Sequence, residues 1–180
     1  MQQIDLQAEL PLSCADIFGA AMDFENYPQI TPYVKTSRVL ERTSNAAKVE
    51  QTFNLDPKIE LVLARVSGTG KKSQLSRVTW IPEKEIHVQS VEGPFKVLNM
   101  HWMFNRVAAE RTHVHLNVEF ETGCRWPTDT LVKAYINNQA SCVLSNLEET
   151  IQKIKASGKF TLPVAGQTKP TDRPPAPGTN

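Results

Sequence analysis

Residues 97–106 read VLNMHWMFNR, and residues 111–120 read RTHVHLNVEF. In both segments apolar and polar side chains alternate, which is typical of a β-strand with one face buried and the other in water. Together the segments predict an antiparallel hairpin, and hence a sheet with one apolar face. The side chains expected on that apolar face are Leu98, Met100, Trp102, Phe104, Val114, Leu116, Val118 and Phe120.

Similar patterns, bounded by turn-forming residues, predict further strands earlier in the chain. They are expected at residues 2–10, 36–42, 46–54, 59–66, 73–81 and 85–91. Helical signals lie on either side of this strand-rich region. Residues 13–16 read SCAD, a variant of the capping box, so a short helix should follow, with a second helical turn around residues 23–27. After Pro127 apolar residues recur in steps of three and four, which predicts one long helix over residues 127–156.

The predicted fold class is therefore α+β. A curved antiparallel sheet of about seven strands is expected to wrap around one long C-terminal helix, because no other element is large enough to cover the apolar face. Two short helices are expected after the first strand. Such an arrangement tends to leave a cavity between the helix and the sheet.

Composition divides the chain into a domain and a tail. The 180 residues carry a net charge of +1, and five of the 12 prolines fall in the last 18 residues. We expect a folded domain over residues 1–157 and a disordered, proline-rich tail over residues 158–180. The tail holds three basic residues and one acidic residue, which leaves the domain with 17 basic and 18 acidic residues. A nearly neutral domain argues against a nucleic-acid partner.

Cysteine usage and the N-terminus predict a cytoplasmic protein. Acidic residues interrupt the first 16 positions, so no secretory signal is expected. No apolar run approaches the roughly 18 residues that span a bilayer. The three cysteines are odd in number and widely spaced, which favours reduced thiols over disulfides or a metal site: Cys14, Cys124 and Cys142.

Two sequence blocks resemble the START-like superfamily, and within it the coenzyme Q-binding and polyketide cyclase/dehydrase group. The first block reads DFENYP at 23–28, PY at 32–33 and SRVLE at 37–41. The second reads VEGPFKVL at 91–98, followed by Trp102 and Phe104. The resemblance, over about residues 2–156, implies the helix-grip fold. It does not select one function, because this superfamily includes lipid carriers, quinone binders, aromatases and a ribosome-association inhibitor.

One segment departs from the compact members of that group. Residues 56–72 make the chain longer there by about ten residues, judged against ordinary strand lengths. We expect this segment to lengthen a hairpin or to add a strand, and thereby to reshape the mouth of the cavity.

The predicted ligand site is an apolar cavity between the long helix and the sheet. Its expected lining is Phe18, Tyr27, Leu98, Met100, Trp102, Phe104, Val114, Leu116, Val118, Phe120, Tyr135 and Asn138. The expected gate, formed with the long helix, is Gly93, Pro94, Phe95 and Lys96. The alternative interpretation is that these apolar side chains simply fill a closed core.

Three functions fit these features. The first is a carrier or binding protein for a hydrophobic small molecule such as a lipid, quinone, isoprenoid or polyketide, with no catalytic residue and no cofactor. The second is a cofactor-free aromatase or cyclase, which requires a His or a carboxylate inside the cavity. The third is a protein-binding regulator of the ribosome-association type, which requires an exposed patch in place of a large cavity. A peripheral membrane or an acidic protein partner is a further alternative, through Arg65, Lys71, Lys72 and Arg77.

Histidines cluster on the polar face of the predicted hairpin. If its turn centres near Ala108, His101 and His115 are direct cross-strand neighbours, with His113 on the same face. Paired imidazoles can bind a metal ion. Solvated surface histidines are more common, however, and no acidic or Cys partner is fixed by this register, so we expect no metal site.

Overall fold

The computed structural model describes residues 1–67, 72–121 and 128–156. It has a seven-stranded antiparallel sheet, one long C-terminal helix and two short helices after the first strand, so the predicted α+β, helix-grip class is confirmed. The helix start expected at Pro127 and the tail expected from residue 158 lie outside the described residues.

The sheet follows the order of the chain except for its first strand. Its strands are β1 Gln2–Leu10, β2 Val34–Arg42, β3 Ala46–Phe53, β4 Ser73–Ile81, β5 Glu85–Glu92, β6 Val97–Ala108 and β7 Arg111–Glu121. They lie in the order β1-β7-β6-β5-β4-β3-β2, each antiparallel to its neighbours. Every second residue of β7 from Thr112 to Phe120 is buried, which confirms that one face of the hairpin packs in the core.

Two short helices follow β1. The first is α1, Cys14–Ala21, and the second is α2, Tyr27–Ile30, which a 3-10 turn precedes. Ser13 caps α1: its Oγ accepts a hydrogen bond from the Asp16 backbone N–H at 3.2 Å, as the capping box predicted.

The prediction of a strand at residues 59–66 is wrong, because residues Pro57–Ser67 form a helix, α3. Its start is determined locally. The Asp56 side chain accepts a hydrogen bond from the Lys58 N–H at 2.8 Å, and the Asp56 carbonyl accepts one from the Glu60 N–H at 2.9 Å. Pro57 then occupies the first helical position, where its missing N–H has no partner to lose.

The burial pattern of α3 also has the helical period. Ile59 and Leu63 are buried at 3% and 2% exposure, whereas Leu61 between them is 56% exposed. In a strand these three side chains would share one face. The additional segment therefore forms a helix; it neither lengthens a hairpin nor adds a strand.

The long helix, α4, spans Thr128–Ala156 and covers the inner face of the sheet. Its buried side chains recur at steps of three and four, as predicted: Val132, Ile136, Ala140, Leu144, Leu147 and Ile151. None of the helices in the described ranges has the length and apolar character needed to cross a bilayer.

Candidate functional site

A mostly apolar cavity lies between α4 and the inner face of the sheet. Its volume is about 90 Å³. Ligand pockets for drug-sized molecules usually measure about 300–1,000 Å³, so this cavity is small for its position in the fold. Its lining is Phe24, Tyr27, Thr31, Tyr33, Val34, Val49, Gln51, Phe53, Gln74, Ser76, Val78, Val88, Phe95, Leu98, Met100, Trp102, Leu116, Val118, Ile136, Gln139, Ala140 and Val143.

Half of the predicted lining residues lie around this cavity. They come from α2 and from the middle of the β6–β7 hairpin: Tyr27, Leu98, Met100, Trp102, Leu116 and Val118. The hairpin residues reach it because they are on the buried side of the strand alternation. Whether they bind a ligand stays a prediction.

The structure places four other predicted residues in the core, outside the cavity lining: Phe18, Phe104, Val114 and Phe120. Phe104 is on the same face as the lining residues of β6, but it lies further along the strand, beneath α1. Its ring meets the Phe18 ring edge to face at 5.8 Å. Alternation along a strand predicts which face a side chain occupies, but not whether a helix fills the space above it.

On α4 the polar residue that lines the cavity is Gln139 and not the predicted Asn138. Asn138 is exposed, whereas Gln139 lines the cavity together with Ile136, Ala140 and Val143. These positions are separated by three, one and three residues and so share one face of the helix.

Tyr135, also predicted in the lining, lies beside the cavity. Its hydroxyl donates to the Asn54 carbonyl at 3.3 Å, and its ring meets the ring of Tyr33 at 5.8 Å. Tyr33 lines the cavity and Tyr135 does not.

A row of polar side chains crosses the inner face on the β2–β3–β4 side. Gln51 of β3 lies directly opposite both Ser37 of β2 and Gln74 of β4, and its amide donates to Ser37 Oγ at 3.3 Å. Gln51, Gln74 and Ser76 line the cavity. We expected an almost wholly apolar inner face, so these residues were missed.

The sequence of β4 did contain a signal for them. Its residues read SQLSRVTWI, and the set of alternate positions that ends in Val78 and Trp80 is the more apolar one. That set faces the core, and Gln74 and Ser76 belong to it, so their side chains point inward as well.

Gln74 has an unsatisfied buried oxygen. Its side chain is 1% exposed, and its Nε2 donates to the Leu75 carbonyl at 3.3 Å. Its Oε1 has no hydrogen-bond partner among the described residues. A buried acceptor left without a donor costs about 1–3 kcal/mol, so native proteins rarely keep one without a reason.

Gly93 makes this position of Gln74 possible. A Cβ atom at residue 93 would lie 2.0 Å from Gln74 Oε1, far inside van der Waals contact. The turn between β5 and β6 therefore requires glycine at the point where it meets the amide of β4.

The other predicted gate residues belong to the same turn but differ in burial. Phe95 is buried, lines the cavity and packs its ring against the Phe53 ring at 6.4 Å. Pro94 is buried beside it, whereas Lys96 is exposed and pairs with Glu121 on β7. The turn thus contributes an aromatic side chain to the cavity wall and a charged side chain to the surface.

No charged or histidine side chain is among the described residues that line the cavity. Burial, and to a smaller extent the charge of Asp23, raises the pKa of Tyr27, whose hydroxyl donates to the Ala21 carbonyl at 3.0 Å. The described lining therefore holds neither the His nor the carboxylate that the cyclase alternative requires.

The histidines lie on the outer face, but their predicted pairing is wrong. His101 is opposite Asn117, and His115 is opposite Met103. The turn centres one residue later than assumed. The partner of His115 is not a histidine: its Nε2 lies 2.6 Å from the Asp5 carboxylate on β1, which accepts the hydrogen bond.

One of the basic residues considered for an acidic partner is already paired. Lys72 lies 2.6 Å from Glu60 of α3. Arg65 and Arg77 are exposed, and Lys71 lies outside the described residues.

Comparison with known proteins supports this architecture. Residues 10–135 match the family model described as polyketide cyclase / dehydrase and lipid transport. The ribosome association toxin RatA of Escherichia coli is 29% identical over 122 residues, which cover 67% of this chain and 69% of that protein.

Solved structures show the same fold at low sequence identity. The Zhui aromatase/cyclase from a Streptomyces species has a TM-score of 0.69 at 16% identity, covering 87% of this chain and 98% of that one. Human STARD10 has a TM-score of 0.69 at 13% identity, covering 87% of this chain and 66% of that one.

Proposed function

Because the chain belongs to the polyketide cyclase / dehydrase and lipid transport family, we propose that its cavity binds a hydrophobic small molecule. The observation that carries this proposal is the buried Oε1 atom of Gln74, a cavity-lining side chain, which has no donor among the described residues. A ligand hydroxyl would satisfy it, while the rest of the ligand removes apolar surface from water at about 25 cal/mol per Å².

This proposal specifies the chemistry of the ligand. The polar side chains around the cavity are neutral amides and hydroxyls, so the ligand is uncharged where it meets them. Since the atom without a partner is an acceptor, the ligand carries a hydrogen-bond donor. An isoprenoid alcohol, a hydroquinone or a phenolic polyketide combines at least one donor with a large apolar body.

Binding requires the cavity to expand. An engineered apolar cavity of about 150 Å³ holds benzene, and this one measures about 90 Å³. We expect this expansion at the Phe53–Phe95 contact, because both rings line the cavity and Phe95 belongs to the gate turn. Movement of the Phe95 ring changes no backbone pairing, since residues 93–96 lie between β5 and β6.

Two measurements test the proposal. Native mass spectrometry of protein purified from its own host should show a co-purifying hydrophobic molecule. Titration with farnesol should then change the fluorescence of Trp102, which lines the cavity, and farnesyl methyl ether should bind more weakly because it lacks the donor. A Trp102→Phe variant identifies the source of the signal. Clean apo protein that binds neither probe, nor other lipids and quinones, contradicts the proposal.

A second candidate is regulation of ribosome association. The small cavity favours it, since a closed core needs no ligand, and the relative from Escherichia coli carries that activity in its name. Sucrose-gradient sedimentation of host ribosomal subunits tests it. Added protein should lower the 70S fraction and move with a subunit. Unchanged subunit association, with the protein left at the top of the gradient, contradicts it.

A further inference from the structure

Three side chains with metal-binding atoms meet on the outer face of the sheet, away from the cavity. His87 of β5 is directly opposite His101 of β6. Glu85 lies two residues before His87 and so points to the same face. The neighbours Val88 and Met100 point the other way and line the cavity, so the two sites use opposite faces of the same strands.

Their ligand atoms converge on one point. Glu85 Oε2 lies 3.1 Å from His101 Nε2 and 3.3 Å from His87 Nε2. The two imidazole rings stack with their centroids 3.9 Å apart. The three ligand atoms lie within 4.8 Å of one another, and no other trio of His, Cys, Asp or Glu in the described part of the chain does so.

These separations match those of a tetrahedral zinc site. Zinc binds imidazole nitrogen and carboxylate oxygen at about 2.0–2.2 Å, which places neighbouring ligand atoms of a tetrahedron about 3.3–3.5 Å apart. The two oxygen–nitrogen distances are therefore already close to the edges of such a tetrahedron. We propose that Glu85, His87 and His101 bind one divalent transition-metal ion, with Zn²⁺ as the reference ion.

The donor set favours this class of ion over Ca²⁺ or Mg²⁺. Those ions prefer oxygen ligands throughout, whereas two imidazoles and one carboxylate suit Zn²⁺, Ni²⁺ or Cu²⁺. Three protein ligands leave a fourth position, which water fills.

The site is open to an incoming ion. The side chains of Glu85, His87 and His101 are 30%, 48% and 32% exposed. Beside them runs a groove of about 320 Å³ with a polar wall that includes Asn99 and Glu119. It has room for the waters that an ion brings.

The sheet holds the ligands in place. β5 and β6 are interior strands, each paired on both sides, so the backbones of the two histidines are fixed. Only the stacked rings must turn for both Nε2 atoms to face a shared ion, and the second side-chain torsion of histidine is broad.

Metal titration of the full, tag-free chain tests this site. After removal of metal with EDTA, isothermal titration calorimetry with Zn²⁺ should give one ion per chain. Loss of a residue that only supports a metal ligand typically lowers metal affinity about 10–100-fold. His87→Ala and His101→Ala each remove a ligand, so each should lower Zn²⁺ affinity by at least that factor. Glu85→Gln, which keeps the shape and removes the charge, should weaken it as well.

His113→Ala is the matched control. His113 is on the same outer face, opposite Asn105 on β6 and outside the cluster. Zn²⁺ affinity should be unchanged in this variant. Circular dichroism of each variant checks that the fold is retained.

Three results would overturn the proposal. The first is that the unmodified chain does not bind Zn²⁺. The others are a His87→Ala/His101→Ala double variant that binds Zn²⁺ as tightly as the unmodified chain, and a His113→Ala variant that loses as much affinity as the variants of the cluster. Co²⁺ provides a further readout, because an intense sulfur-to-cobalt band would place the ion on a cysteine.

Discussion

Replacing Gln74 with leucine tests whether its buried amide serves binding or stability. If the amide is present for a ligand, its removal should stabilise the empty protein and weaken ligand binding. If the amide stabilises the fold, its removal should do the opposite to the empty protein. The side chain is 1% exposed, and leucine is only slightly larger, so the change is mainly one of polarity.

The expected gain follows from the two amide atoms. Removing the unpartnered Oε1 releases about 1–3 kcal/mol of desolvation penalty. Removing Nε2 loses its bond to the Leu75 carbonyl, which at 3.3 Å is long and contributes about 0.5–1.5 kcal/mol. The net expectation is a gain of about 1 kcal/mol, or about 2–4 °C in Tm for a chain of this size.

Urea denaturation of ligand-free protein measures the free energy of unfolding, and calorimetry measures Tm. Gln51→Leu is the matched control, because Gln51 lies opposite Gln74 on the next strand. Its amide does have a partner, Ser37 Oγ at 3.3 Å. Gln51→Leu should therefore lower the free energy of unfolding by about 0.5–1.5 kcal/mol.

A Gln74→Leu protein that is less stable than the unmodified chain by 1 kcal/mol or more would refute the reasoning. Farnesol titration supplies the second half of the test. Loss of one hydrogen bond to the ligand hydroxyl should weaken binding about tenfold, which equals 1.4 kcal/mol. Unchanged farnesol affinity in a stabilised variant would remove Gln74 from the ligand site.

Two further predictions concern α3 and the β1–β7 pair. Leu63→Ala should lower the free energy of unfolding by about 2–5 kcal/mol, because Leu63 is buried. Leu61→Ala should lower it by less than about 0.5 kcal/mol, because Leu61 is exposed. Similar losses for the two variants in calorimetry would contradict a helix at Pro57–Ser67. The hydrogen bond with His115 lowers the pKa of Asp5 below 3.8. The contribution of the Asp5 carboxylate to the free energy of unfolding should therefore be complete at about pH 6 and be lost as the pH falls through that lowered pKa. The stability difference between the unmodified chain and Asp5→Asn should therefore shrink below pH 3.8, and a difference independent of pH would contradict the pairing.

The sequence predicted the sheet and α4 because their periods are unambiguous. The alternation in 97–106 and 111–120 identifies one apolar face, and the apolar steps of α4 identify one helix face. Residues 59–66 were assigned wrongly because a run such as LVLA fits either period. An Asp-Pro pair such as that at 56–57 is typical of a chain break, but here it begins a helix.

The candidate site was less predictable, since it depends on which strands lie together. Alternation assigns a face to Gln74, but only pairing places Gln51 and Ser37 in the same row. The turn of the last hairpin was placed one residue too early, and that error paired His101 with the wrong strand neighbour. The ring that stacks on His101 is that of His87 on β5. The pattern of the β6–β7 hairpin contains no information about which residue of β5 lies beside it.

The segment VEGPFKVL, residues 91–98, now has a physical interpretation. Gly93 leaves room for the Gln74 amide, and Phe95 forms part of the cavity wall. Lys96 pairs with Glu121 and ties the turn to β7. None of these contacts selects one ligand, because they shape one end of the cavity whatever it holds. For the proposed ligand, selectivity is therefore expected from residues outside that segment, and the polar row on β3 and β4 is a part of the lining with hydrogen-bonding groups to provide it.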